Sequence, residues 1–226
     1  MSNINKNLVD FLNLTSDYIS TGYKSNQPED ISIPVVSDDT IEKIAQEIKN
    51  CKNCPLVSKR INAAPGEGVL NPKVLVIGEG PGEDEDKQGR PFVGKAGQLL
   101  DKMLASIELS RTTNCFIANV IKCRPPFNRD PNPEETAACI HFLERQINIL
   151  KPKFILIAGK VAAHTLLKNT DSISQMRGKI NKLTFGDITY PTLVTYHPAA
   201  LLRSEEYKRP AWEDLKLLRD QLAELN

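Results

Sequence analysis

No stretch of the 226-residue sequence is apolar over anything near the ~18 residues that span a bilayer as a helix. The first ten residues lack the basic start and apolar core of a secretory leader, and they lack the Arg-rich, acid-poor character of a transit peptide. A soluble cytoplasmic protein with no membrane contact is the expectation. Nor is there a strong excess of charge of either sign: 29 basic groups face 28 acidic ones. The balance is uneven along the chain, however. Residues 1–50 hold four lysines against eight acids, and the remainder holds 25 basic against 20 acidic groups. A modestly basic body permits nucleic-acid binding without requiring it. Five cysteines without an export signal argue against a disulfide framework and turn attention to metal or redox chemistry.

What is present has ordinary globular composition, 40% hydrophobic and 25% charged, at a length that suits one domain with an appendage. The spacing of Leu8, Phe11, Leu12 and Ile19 predicts a helix over residues 6–20, followed by a polar, proline-bearing linker from Ser25 to Pro34. Asp39 with Glu42 reads as a capping box for the next helix. The expected division is an N-terminal extension, 1–40, and a main domain, 41–226. From Lys73 onward short apolar runs alternate with helical segments. Lys73–Gly78, Cys115–Ile121, Lys153–Gly159 and Thr192–Tyr196 read as strands covered on both faces. Helices are predicted near Ala96–Ile107, Pro133–Leu150, Lys160–Lys168 and Ala211–Leu225. The alternation predicts a three-layer α/β/α sandwich around a mostly parallel sheet of about four strands. A ligand then belongs beyond the carboxyl ends of the strands, where Gly78-Glu79-Gly80, Asn119, Gly159-Lys160 and Tyr196-His197 fall.

Cys51 and Cys54 form a C-x-x-C, and after a long gap Cys123 and Cys139 follow with fifteen residues between them. Four thiolates suit a zinc ion or one iron–sulfur cube, but spacing alone also leaves room for unconnected buried thiols. Cys115 has no partner spacing and reads as core. The glycine loop Gly78–Gly82 fails as a dinucleotide fingerprint, because its third glycine would fall at Glu83. Gly89–Lys95 matches a phosphate loop except that Ala96 replaces the metal-binding hydroxyl. Glycines beside carboxylates, with Phe92 downstream, suit a flat heterocycle held against an aromatic face. His197, at a strand end and followed by proline, can face the same crevice, although a lone histidine is more often structural. His141 and His164, inside helices, read as ordinary.

Taken together, Cys51–Leu56 (CKNCPL), Gly78–Gly82 (GEGPG), Gly89–Gly94 (GRPFVG), Asn119–Pro126 (NVIKCRPP) and His197-Pro198-Ala199 resemble the family 4, iron–sulfur, uracil-DNA glycosylases. The likeness runs from about Cys51 to Leu218 in family order and leaves out the first fifty residues. It implies a monofunctional enzyme that hydrolyses the N-glycosidic bond of uracil in DNA and leaves an abasic site, the first step of base excision repair. It implies a [4Fe–4S] cluster on Cys51, Cys54, Cys123 and Cys139, acting as a structural staple. In the implied pocket Phe92 stacks on uracil, Asn119 reads the O4 and N3 edge, His197 lies near O2, and the Gly80 backbone closes the site. The resemblance settles no single general base, and Glu79 or Glu85 is the candidate water-activating or cation-stabilising group. The region Glu83–Asp86 is the candidate wall against the methyl group of thymine.

Toward DNA, the resemblance implies that Leu201 fills the gap left by the flipped base and that Arg203 lies near a phosphate. Lys122, Arg124 and Arg129 are further candidate phosphate contacts. Substrate strands are expected to be single or double, and the enzyme a monomer. The N-terminal extension is a candidate tether to a repair or replication partner. Two departures stand out: Phe127 occupies a position commonly glycine in the family, and Phe127–Pro131 lacks the histidine of a related branch that captures DNA covalently. Two competing expectations are an iron–sulfur DNA-binding or redox-sensing protein without turnover, and a zinc-stabilised nucleotide hydrolase using Lys95.

Overall fold

The computed structural model describes residues 39–225. The helix expected over 6–20 and the linker after it lie outside the described residues. Helix α1, Ile41–Asn50, opens the described fold, and its N-cap is Thr40, whose Oγ1 accepts the Lys43 N–H at 3.1 Å. The expected cap, Asp39, instead pairs with Arg145 at 2.6 Å, since a guanidinium satisfies a carboxylate more completely than one amide does.

Six strands form one sheet: β1 (Glu67–Gly68), β2 (Val74–Gly78), β3 (Cys115–Asn119), β4 (Phe154–Ala158), β5 (Ile180–Phe185) and β6 (Ile188–Thr195), in the order β1-β3-β2-β4-β6-β5. The four inner strands run parallel, as the apolar runs predict, and β1 and β5 add antiparallel edges that the expected count of four omits. The edge strand β5 buries only Leu183, so its sequence lacks a continuous apolar signal.

Alternation along the inner strands divides the core in two. Leu75, Ile77, Phe116, Ile155 and Ile157 pack with Ile44 and Ile48 of α1 and with Phe142, Leu143 and Ile147 of α4 (Pro133–Leu150). Ala162 and Ala163 of α5, Lys160–Leu167, join this layer. On the other face Val74, Val76, Ile117, Phe154 and Leu156 meet Leu100 and Leu104 of α3, Lys95–Ala105. Leu215 and Leu218 of α8, Lys208–Glu224, complete that layer. The three-layer sandwich is therefore present, each fully buried aliphatic side chain contributing about 1.5–3 kcal/mol by removal from water.

Three short α-helices, α2 (Glu83–Gln88), α6 (Ile173–Met176) and α7 (Pro198–Arg203), and three 3-10 turns at Pro55–Ser58, Pro126–Asn128 and Glu205–Tyr207 complete the described elements. The acidic run at α2 reads from sequence as a loop but is helical. Its four acids sit in the first turn, where the helix dipole favours them, and Gly89 ends it in the left-handed conformation. Chain order reverses between β2 and β4, the place where an open parallel sheet leaves a crevice.

Candidate active site

At that crevice a cleft of about 660 Å³ opens beyond the carboxyl ends of the four inner strands. Glu79, Gly80, Glu85, Phe92, Asn119, His197 and Arg203 all line it, so seven positions expected from sequence meet in one place.

Asn119 ends β3 at 1% exposure, and neither its Oδ1 nor its Nδ2 has a hydrogen-bond partner. Beside it on β2, a Cβ at Gly78 would stand 2.5 Å from both Asn119 Oδ1 and Phe92 Cζ, so only glycine lets this carboxamide and this ring meet. Phe92 itself is held at φ 53, an uncommon conformation for an aromatic residue. Arg111 fixes it by donating from Nη1 to the Pro91 carbonyl at 3.0 Å and from Nη2 to the Phe92 carbonyl at 2.8 Å. Arg111 is anchored in turn on Asp101 at 2.8 Å. The sequence offered no signal for this clamp, because Arg111 lies in an unremarkable polar turn.

His197 caps α7, its Nδ1 accepting the Ala199 N–H at 3.2 Å. Burial, reinforced by the Arg203 charge, pushes its pKa down to about 4. The ring is therefore neutral near pH 7, and with Nδ1 accepting, the proton sits on Nε2. Its centroid lies 5.5 Å from that of Phe92. Gly159, at φ 103, passes so close that a Cβ there would meet His197 Cβ at 3.0 Å.

The two candidate carboxylates differ. Glu85 is fully engaged: Oε1 accepts from the Val93 and Gly94 amides at 2.8 and 2.9 Å, and Oε2 from the Gly82 amide at 3.1 Å. It ties the glycine loop to the segment bearing Phe92. The Glu79 carboxylate makes no hydrogen bond to the described residues, and burial, with the negative Asp130 adding to it, raises its pKa to about 7. Asp130 also lines the cleft, a role no sequence spacing indicated. Of the Glu83–Asp86 region only Glu85 lines the cleft. Glu83 pairs with Lys87, and Asp86 turns away to accept the Ile61 and Asn62 amides.

The four spaced cysteines converge. Cys51, Cys54, Cys123 and Cys139 line one small cavity with Arg60 and Lys122, while Cys115 is separately buried in the core. Arg60 Nη1 donates to Cys123 Sγ at 2.9 Å, and the Lys122 amide donates to Cys139 Sγ at 3.3 Å. Four sulfurs with N–H donors directed at two of them make a donor set that fits an iron–sulfur cluster. Among the described residues no group of three or more His, Cys, Asp or Glu side chains is placed to hold a single metal ion.

The DNA-facing candidates differ in exposure and partners. Leu201 is 4% exposed and packs into the core, because α7 turns that face toward α3; its neighbour Leu202, 52% exposed, faces solvent. Lys122 is buried, its Nζ donating to the Asn119 carbonyl and to Gln146 Oε1, both at 2.8 Å, so it does not reach a phosphate. Arg129 pairs with Glu135 through both guanidinium nitrogens at 2.9 and 2.7 Å. Arg124 remains at the surface near Glu83, bonded to Asn128 at 2.7 Å.

The family model of the uracil DNA glycosylase superfamily matches residues 65–216. A type-4 uracil-DNA glycosylase from Sulfurisphaera tokodaii is 42% identical over 186 residues, covering 80% of this chain and 84% of its own. Those of Pyrobaculum aerophilum and Thermotoga maritima are 41% and 42% identical, covering 78% and 79% of this chain and 92% and 93% of theirs. The matched span includes the whole cleft, from Glu79 to Tyr207, and the chain accordingly belongs to the uracil-DNA glycosylase superfamily, within its type-4 family.

Proposed function

We propose that the protein is a monofunctional uracil-DNA glycosylase that hydrolyses the N-glycosidic bond of uracil in DNA and leaves an abasic site for base excision repair. The observation that carries this reading is Asn119: a buried carboxamide with both polar atoms unsatisfied, set against an aromatic ring in a cleft. A buried polar group without a partner is costly unless a ligand supplies one. Uracil supplies both, since its O4 accepts from Nδ2 and its N3–H donates to Oδ1. Cytosine presents the opposite pattern and leaves both groups opposed.

The base reaches the cleft by flipping out of the stack and lies on Phe92. As the N1–C1′ bond breaks, its electron pair leaves with uracil, and negative charge grows on O2. The neutral His197 donates from Nε2–H toward that oxygen; one such donor is worth about 3–4 kcal/mol in the transition state. Water adds to C1′, and its proton passes to Glu79, the unengaged carboxylate of the cleft. Glu85 stands against the methyl group of thymine and, with Gly80, shapes the closed end. Arg203 and Arg124 meet phosphates. Leu201 fills the gap left by the flipped base, with the solvent-facing Leu202 beside it.

The same reading assigns a [4Fe–4S] cluster to Cys51, Cys54, Cys123 and Cys139, supported by their shared cavity and the donors to their sulfurs. When bound, it would supply iron–thiolate cross-links between the segments that carry those cysteines; the hydrolysis calls for no electron from it. A monomeric, cytoplasmic enzyme is part of the proposal. The division at residue 40, with the extension as a partner tether, completes it.

Uracil release from single- and double-stranded oligonucleotides tests the reading, comparing wild type with Asn119→Ala and His197→Ala. Release is expected to fall by about 10²-fold or more in each variant. Undiminished release in both would remove the pocket assignment, and no release by cluster-loaded wild type would remove the function.

A further inference from the structure

Phe127 is 98% exposed, the most exposed large hydrophobic side chain among the described residues. Nothing about its backbone is loose. Phe127 and Asn128 both hold left-handed conformations, φ 57 and φ 55, which a bulky residue adopts only under constraint. Pro125 and Pro126 stiffen the approach. The Asn128 amide donates to the Pro125 carbonyl at 3.1 Å, and the Arg129 amide to the Pro126 carbonyl at 3.2 Å. Arg124 Nε reaches Asn128 Oδ1 at 2.7 Å, and Arg129 is locked onto Glu135. A rigid pedestal thus holds a bare ring in water.

Its position is specific. Pro125, Asn128, Arg129 and Asp130 all line the cleft, so Phe127 stands on the rim between lining residues. Lys160 and Arg203 also line the cleft, and Arg124 lies beside the pedestal. Cations around an aromatic tip suit a polyanionic strand bearing flat bases.

We infer that Phe127 is a stacking platform for an unpaired base of the substrate strand next to the flipped nucleotide. The inference rests on the glycosylase reading and adds a contact outside the uracil pocket. The ring acts on strand capture and not on bond cleavage, because it does not line the space where uracil sits. Stacking of this kind is independent of sequence, since every base has a π-face.

The test compares wild type with Phe127→Ala, Phe127→Gly and Phe127→Trp on single-stranded oligonucleotides with and without uracil. Phe127→Ala is expected to weaken binding and raise KM by about 5- to 100-fold, with kcat at saturation within about two-fold. Phe127→Gly, which also relieves the left-handed strain, should lose the same affinity without losing stability. Phe127→Trp should restore affinity, with indole fluorescence quenched on binding. Wild-type affinity in both truncated variants, or a loss confined to kcat, overturns the inference. So does a fall in self-association of the DNA-free protein with DNA affinity unchanged, which would assign the ring to a contact between copies. If wild type frees no uracil, the glycosylase reading fails separately, and affinity for uracil-free strands still decides the role of Phe127.

Discussion

Glu79 and His197 face one cleft, yet burial moves them in opposite senses, and pH separates their contributions. The Glu79 carboxyl, raised to about 7 from 4.5, keeps its proton in the folded state where the unfolded chain has lost it. Folding stability from this group therefore falls as pH rises from 4.5 to about 7, and the penalty persists above. His197, lowered to about 4 from 6.5, behaves inversely: the unfolded chain takes up a proton first, so stability falls as pH drops through that window. Glu79→Gln is expected to be more stable than wild type above pH 7, by about 1–2 kcal/mol after allowance for solvent screening. The difference should vanish below about pH 4.5, and thermal denaturation across pH checks it. The same variant should lower kcat by about 10²-fold or more and abolish an acid limb of kcat/KM centred near pH 7, because only the ionised carboxylate accepts a proton from water. A kcat/KM profile unchanged in Glu79→Gln would transfer that task elsewhere. At this scale the sequence named both residues as alternatives but could not rank Glu79 above Glu85. The three amides that occupy Glu85 come from glycine and valine backbones, and backbone donors leave no trace in residue type.

Elements with strong local signals were legible, and those made by tertiary contact were not. Helix α4 begins at Pro133 and ends at Leu150 as predicted, because proline sits in its first turn and Glu135 caps back to the Asn132 amide at 2.8 Å. The segment Glu83–Gln88 gave no such signal: its apolar stripe is missing, and Asp86, fastened to Ile61 and Asn62, substitutes for it. A comparable dependence governs the turn carrying Phe92. Arg111 holds two consecutive carbonyls there, and Lys, with a single ammonium, cannot span both while keeping Asp101. Arg111→Lys should therefore lower Tm by roughly 3–12 °C, the equivalent of one charge-assisted hydrogen bond. It should also raise KM for uracil-containing strands through a looser ring. Calorimetry and steady-state kinetics together check this outcome, and a change in Tm with KM unaltered would show that Phe92 is held without the clamp.

Across the molecule, the four cysteines draw together the end of α1, the turn following it, the chain just past β3, and α4, segments that share one face of the sheet. Removing the proposed cluster, by iron chelation after oxidation or by Cys139→Ser, should abolish the visible absorbance expected at roughly 400 nm for an iron–sulfur centre. It should also lower Tm by several degrees. Retention of the thermal transition after complete bleaching would reduce the group to an ornament of the fold. The convergence of these thiols could be suspected from their order in sequence, yet the inward turn of Lys122 could not, since lysine is almost never fully buried without a partner. That lysine has a wider meaning. Its amide touches the sulfur of Cys139, its side chain holds the carbonyl of Asn119, and the next residue is Cys123. Corrosion at the sulfur end would thus travel a few bonds to Asn119, the group proposed to distinguish one pyrimidine from another. Such damage would announce itself first as poor discrimination, in molecules that still look intact.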